Sequence, residues 1–136
     1  MTAFQTIALL LTFAALVTVS RAPLSAHHSF SATYLNDQKM TIEGTLVQFL
    51  FRNPHSFVNV EAKDENGQTQ RWAVEWGAAG QLGGQGVKRE TLKAGDHVII
   101  VGSPGRNPED HRLRMINLRR PSDGFTWGGR AGETFD

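Results

Sequence analysis

Apolar and polar residues alternate along much of the chain between residues 40 and 120, which is the pattern of β-strands with one buried face. Residues 56–62 and 69–76 show this alternation most clearly, with valine, alanine or tryptophan at the inward positions. The Asn66-Gly67 dipeptide between these two runs favours a tight turn. The pattern therefore predicts an antiparallel hairpin, which supplies the second and third strands of the fold.

The first predicted strand, residues 40–51, changes the face on which its apolar residues lie. Apolar residues up to Leu46 share one face, whereas those from Val47 onward share the other. The change comes just after Gly44, and a change of phase beside a strand glycine is typical of a β-bulge. A long strand that bends in this way is a means of closing a small barrel.

The rest of the chain completes a fold with few helices. Residues 77–94 interrupt the alternation with several glycines, and they leave room for single helical turns at 78–82 and 88–92. Two further strands follow at 97–101 and 113–118. We therefore predict an all-β, five-stranded OB-like barrel with an irregular, partly helical connection between strands three and four. An open sandwich of the same strands is the alternative.

The N-terminal segment carries the pattern of an export signal. Residues 6–19 form an uncharged apolar run that is short for a membrane-spanning helix, and the small residue Ala26 follows a few positions later. We predict a signal peptide over residues 1–26, an OB-like barrel domain with an N-terminal arm over 27–120, and a glycine-rich C-terminal tail over 121–136. The expected location is periplasmic or secreted, with no membrane attachment after cleavage. An uncleaved anchor is the alternative.

The arm and the tail lack a clear period. We predict that the arm, residues 27–39, is ordered but not helical, and that Phe30 and Tyr34 attach it to the barrel. The glycine content of the tail indicates an extended or mobile segment, with Phe125 and Trp127 as its anchors.

Composition excludes several kinds of chemistry. The 136 residues include no cysteine, so thiol catalysis, cysteine zinc sites and disulfides are all excluded. A net charge of +1 gives no electrostatic reason to expect nucleic acid as a partner. Neither a serine-nucleophile motif nor a phosphate-binding loop is present.

Three histidines are the sharpest candidates for a functional site. Cleavage after Ala26 gives His27 a free α-amine beside its imidazole, with His28 adjacent, and His55 stands at the corner before the second strand. Amine and imidazole nitrogens suit Cu(II), which favours tetragonal nitrogen sites and stands highest in the affinity order of divalent metals. The sequence thus predicts a copper site at His27, His28 and His55. The alternative is that these histidines are structural.

Five segments together resemble a family of small exported bacterial proteins of unknown function, DUF6152. They are AHHSF (26–30), TIEGTLV (41–47), NPH (53–55), WAVE (72–75) and LKAGD (92–96). The resemblance implies an exported β-barrel domain, and it supplies neither a reaction nor a ligand.

Two classes of function fit these observations. The first is an exported, non-catalytic binding module that takes a transition metal, copper first. The second is a protein-interaction or assembly subunit, binding a protein partner or itself through exposed aromatic residues such as Phe57 and through the tail, with the histidines structural. An enzyme ranks third, because no feature of the sequence is shaped for a substrate.

Overall fold

Six β-strands and three short helical segments make up residues 30–129, the part of the chain that the computed structural model describes. The strands are β1 (Met40–Leu50), β2 (Phe57–Lys63), β3 (Thr69–Glu75), β4 (His97–Pro104), β5 (Arg112–Arg120) and β6 (Phe125–Trp127). The helical segments are α1 (Phe30–Thr33), α2 (Ala79–Gly84) and a 3₁₀ turn at Pro108–Asp110. None of the helices in this part of the chain has the length and hydrophobicity needed to cross a bilayer.

The strands close into a ring. β1 pairs antiparallel with both β2 and β4, β2 pairs with β3, and β4 pairs with β5. A parallel pairing of β3 with β5, in which Val74 faces Leu113, completes the circle, and β6 is added to β5 outside it. This closure confirms the predicted OB-like all-β barrel and excludes the open sandwich.

The predicted bulge in β1 is present. The register of β1 against β2 shifts between Leu46 and Gln48. Ile42 and Leu46 are buried before the shift, and Phe49 packs against the same core after it. One strand therefore contributes to the interior on both sides of its bend.

Gly44 allows β1 and β2 to approach closely near this bend. A Cβ at this position would lie 2.1 Å from the carbonyl oxygen of Glu61 and 2.9 Å from the Cβ of Ala62. Backbone atoms cannot yield to such a contact, so only glycine fits here.

The hairpin of β2 and β3 supplies much of the core, as the alternation predicts. Val58, Val60, Trp72, Val74 and Trp76 are all buried. The connection after β3 contributes further apolar residues through Leu82, Val87 and Leu92. Its one helix, α2, matches the first predicted helical turn, whereas residues 88–92 form turns without a helix.

The arm and the start of the tail differ from expectation. Residues 30–33, predicted to be non-helical, form the single helical turn α1, while Tyr34, predicted to attach the arm, is buried and bridges to Gly105. Phe125 and Trp127 pack against the core, and they do so within a strand, β6, that the sequence did not indicate.

Candidate functional site

Of the three predicted metal ligands, His55 is the one that the structure describes; His27 and His28 lie outside residues 30–129. His55 follows the cis peptide bond Asn53–Pro54 in the corner between β1 and β2. The next residue, Ser56, is fully buried, donates its N–H to Gly77 and accepts from the N–H of Trp76. These backbone bonds fix the corner against the end of β3.

His55 faces the carboxylate of Glu75, the last residue of β3. The imidazole Nδ1 lies 3.2 Å from Glu75 Oε1. The Glu75 side chain is 12% exposed, whereas the His55 side chain is 40% exposed. The carboxylate favours the tautomer with its proton on Nδ1, and no residue of the described chain binds the other nitrogen, Nε2. Nε2 of this half-exposed ring is therefore the nitrogen that points away from Glu75.

Two more groups bind Glu75. The hydroxyl of the buried Tyr34 donates a hydrogen bond to Oε2, and Arg112 Nη2 lies 3.6 Å from the same oxygen. Burial, followed by the hydrogen bond to Glu75, raises the pKa of the Tyr34 hydroxyl, so it remains a proton donor throughout the physiological pH range. We refer to Tyr34, His55, Glu75 and Arg112 as the Glu75 cluster.

The start of the arm packs beside this cluster. The Phe30 ring meets the His55 ring edge-on, with 5.7 Å between centroids and an interplanar angle of 80°. On Phe30 also lies the guanidinium of Arg114, with its central carbon 3.8 Å from the ring centroid. The arm therefore enters the described part of the chain within contact distance of His55.

A cavity of about 390 Å³, which we call the side pocket, opens next to His55. Its walls are mostly apolar and include Trp76, Leu82 and Met115, all of them buried. Trp127 of β6 also lines it and packs edge-on against Trp76 at 5.0 Å. The polar lining consists of His55, Glu75, Gln81 and Arg114.

The other two described histidines lie elsewhere. His97 Nε2 is 2.8 Å from Glu43 on the exposed surface, and the His111 ring packs edge-on against Trp72 at 5.0 Å. Within residues 30–129 no three His, Cys, Asp or Glu side chains gather closely enough to hold a metal by themselves. A site built from three such side chains here would therefore need at least one from outside residues 30–129.

Sequence reasoning missed the two central members of the cluster. Glu75 alternates with buried residues on β3, which indicates an outward side chain, and the sequence predicts for Tyr34 only that it attaches the arm. Tyr34 reaches Glu75 across 41 positions of the chain. No local pattern encodes a contact of that separation.

Comparison with known proteins gives a family and no more. The model described as "Family of unknown function (DUF6152)" matches residues 15–114. No curated protein and no solved structure matches the chain.

Proposed function

The chain belongs to the DUF6152 family of unknown function, and from the arrangement around His55 we propose that it is an exported, non-catalytic binding module that holds Cu(II) through His27, His28 and His55. Export rests on the signal-peptide pattern of residues 1–26. Cleavage after Ala26 supplies the α-amine that the site uses.

The observation that carries the proposal is the orientation of His55. Metal-binding histidines commonly direct one ring nitrogen at a carboxylate and the other at the metal. Glu75 lies 3.2 Å from Nδ1 and is itself bound by Tyr34 and Arg112. These contacts fix the orientation of the His55 ring from its Nδ1 side. This leaves Nε2 as the nitrogen that can coordinate a metal.

The position of the arm brings the other two ligands within reach. Phe30 packs against the His55 ring, and His27 precedes Phe30 by three residues. Three residues span at most about 11 Å of extended chain. The chain length alone therefore allows His27 and His28 to reach an ion bound at His55.

Copper is favoured by the type of donor. An α-amine and two or three imidazoles form a nitrogen-only set, which suits the tetragonal preference of Cu(II). A non-catalytic role fits a cluster whose one carboxylate is already bound by three partners.

The test is Cu(II) titration with EPR detection on protein purified with its natural N-terminus. We expect one tight equivalent with nitrogen hyperfine structure, weakened at least tenfold by His55→Ala and by an extra residue placed before His27. His97→Ala is the matched control, because His97 also faces a carboxylate but uses Nε2 to do so. Equal binding by wild type, His55→Ala and the N-terminally blocked protein contradicts the copper site.

The second candidate, a protein-interaction subunit, is favoured by Phe57. This residue is half-buried on the outer side of β2, and the guanidinium of Arg52 lies 5.5 Å from its ring centroid. An arginine on an aromatic ring at the surface is a common element of protein interfaces. Sedimentation velocity of wild type and Phe57→Ser tests whether this face mediates self-association, and an unchanged sedimentation coefficient across concentrations counts against it.

A further inference from the structure

The side pocket has the composition of a small-molecule site. Small-molecule sites are concave, mostly apolar and supplied with a few polar groups, and they enclose roughly 300 to 1,000 Å³. The side pocket, at about 390 Å³, lies at the small end of that range. Two tryptophans, Trp76 and Trp127, form an aromatic wall, and Leu82 and Met115 extend the apolar surface.

Arg114 brings a permanent positive charge to this pocket. Its guanidinium lies on the Phe30 ring and makes one long contact of 3.5 Å with Asn36 Oδ1. None of the carboxylates among residues 30–129 forms an ion pair with it. Three other arginines of the barrel do have such partners: Arg71 with Glu61, Arg112 with Glu75, and Arg120 with Asp96 and Asp123.

The one acidic residue in the pocket lining is already neutralised. Glu75 Oε1 faces His55 Nδ1, and Oε2 accepts from Tyr34 and faces Arg112. Its charge is therefore balanced by groups behind it, and it offers Arg114 no ion pair. Among the charged side chains that line the pocket, the Arg114 guanidinium is therefore the one whose charge is not balanced by an ion pair.

We infer that the side pocket binds a small organic carboxylate with a single aromatic or similarly flat apolar body. The carboxylate meets the guanidinium of Arg114, whose planar fork of N–H donors matches two carboxylate oxygens. The amide of Gln81, on the same lining, supplies a further donor. The apolar body packs against Trp76 and Trp127. This site does not depend on copper, although His55 borders both.

The test uses benzoate and its neutral isostere benzamide on protein freed of metal with a chelator, so that binding through copper is removed. Trp76 and Trp127 line the pocket, so tryptophan fluorescence reports its occupancy. We expect benzoate to quench or shift the emission saturably and benzamide to bind at least tenfold more weakly, because it lacks the charge that Arg114 recognises.

Two variants assign the effect to Arg114. Arg114→Gln is expected to weaken benzoate binding at least tenfold and to leave benzamide binding unchanged. Arg71→Gln is the matched control, because it removes an arginine charge from β3 without touching the pocket lining. Circular dichroism establishes that both variants are folded. Should Arg114→Gln fail to fold, Arg114→Lys, which keeps the charge and loses the fork, is expected to bind benzoate with intermediate strength.

Three results overturn the inference: benzamide binding as tightly as benzoate, benzoate binding equally to wild type and Arg114→Gln, or no saturable response to benzoate. None of them bears on the copper proposal, since the protein carries no metal in this experiment. Conversely, loss of copper binding in His55→Ala leaves the prediction for benzoate intact.

Discussion

The barrel carries two histidine–glutamate pairs, and they differ in nearly every physical respect. His97 and Glu43 lie on neighbouring strands with side chains 52% and 60% exposed, and neither forms another ion pair within residues 30–129. His55 and Glu75 meet at the edge of a pocket, with Glu75 only 12% exposed and held by two further groups. The shorter of the two contacts is the one on the surface, at 2.8 Å against 3.2 Å.

Distance is therefore a poor guide to which pair matters. When an exposed ion pair forms, contacts with water are replaced by a contact within the protein. The net gain in the free energy of folding is small, typically below about 1 kcal/mol. A carboxylate removed from water must have its charge and lone pairs satisfied by protein groups. Removing one member of such a cluster leaves the remaining buried groups without a partner. The Glu75 cluster is of this second kind, which is why it can hold a histidine in a fixed orientation.

Removing the two glutamates should give the largest contrast. Glu75→Met keeps the length of the side chain but leaves the buried Tyr34 hydroxyl and Arg112 without their acceptor, and we expect a loss of about 2–4 kcal/mol in the free energy of unfolding. Glu43→Met should cost less than about 1 kcal/mol. Urea unfolding of both variants measures the difference. Equal losses would remove the distinction between the pairs.

Removing one hydroxyl from the cluster sharpens the comparison. Tyr34→Phe keeps the buried ring and deletes only the donor to Glu75, for an expected loss of about 1–2 kcal/mol in the free energy of unfolding. His97→Gln, which weakens the surface pair, should change the same quantity by less than about 0.5 kcal/mol. If the phenylalanine variant is as stable as wild type, the hydroxyl contributes nothing to holding Glu75.

The smallest effect concerns exposed carboxylates outside both pairs. Hydrogen bonds from Gln70 and the backbone lower the pKa of Asp64, and those from Arg120 and Phe125 lower the pKa of Asp123. A carboxyl whose pKa is lower in the folded chain stabilises the fold above its unfolded pKa of about 3.9. That stabilisation disappears as the pH falls through the folded value.

Stability should therefore fall as the pH drops below about 5, and Asp64→Asn and Asp123→Asn should each make that fall shallower. Urea midpoints at pH 6 and pH 3 for wild type and both variants provide the measurement. Asp37→Asn, at a turn position without these hydrogen bonds, serves as the control. A pH dependence identical in all four proteins contradicts the assignment.

Local sequence patterns were sufficient to predict the barrel, but they were not sufficient to predict the Glu75 cluster. The β2–β3 hairpin follows from alternation and the Asn66-Gly67 dipeptide; its turn is closed by the Gly67 N–H, which donates to the Asp64 carbonyl, and Gly67 has a positive φ of 76°. The helical turn α1 was missed because its sequence, FSAT, has no helical pattern. Contacts from another loop hold it, since Arg106 donates to the carbonyls of Ser31 and Thr33.

The site depends on contacts that no window of sequence contains. The alternation of β3 correctly places Glu75 on the face opposite Val74, but what covers that face is the arm, which lies about forty residues earlier. The position of a residue on a strand predicts the face on which its side chain lies. The residues that cover that face are determined by the topology of the fold. Likewise β6, with three residues, is too short to show a period and is defined by its pairing with β5.

The short strand β6 also affects the tendency of the protein to aggregate through its strand edges. One edge of β5 is covered by β3 over its first three residues, and β6 covers its last three, from Leu118 to Arg120. Without β6 the open hydrogen-bonding groups of that end would offer a template for a strand from another molecule. By pairing with the end of β5, β6 therefore protects this exposed strand edge from intermolecular pairing and aggregation.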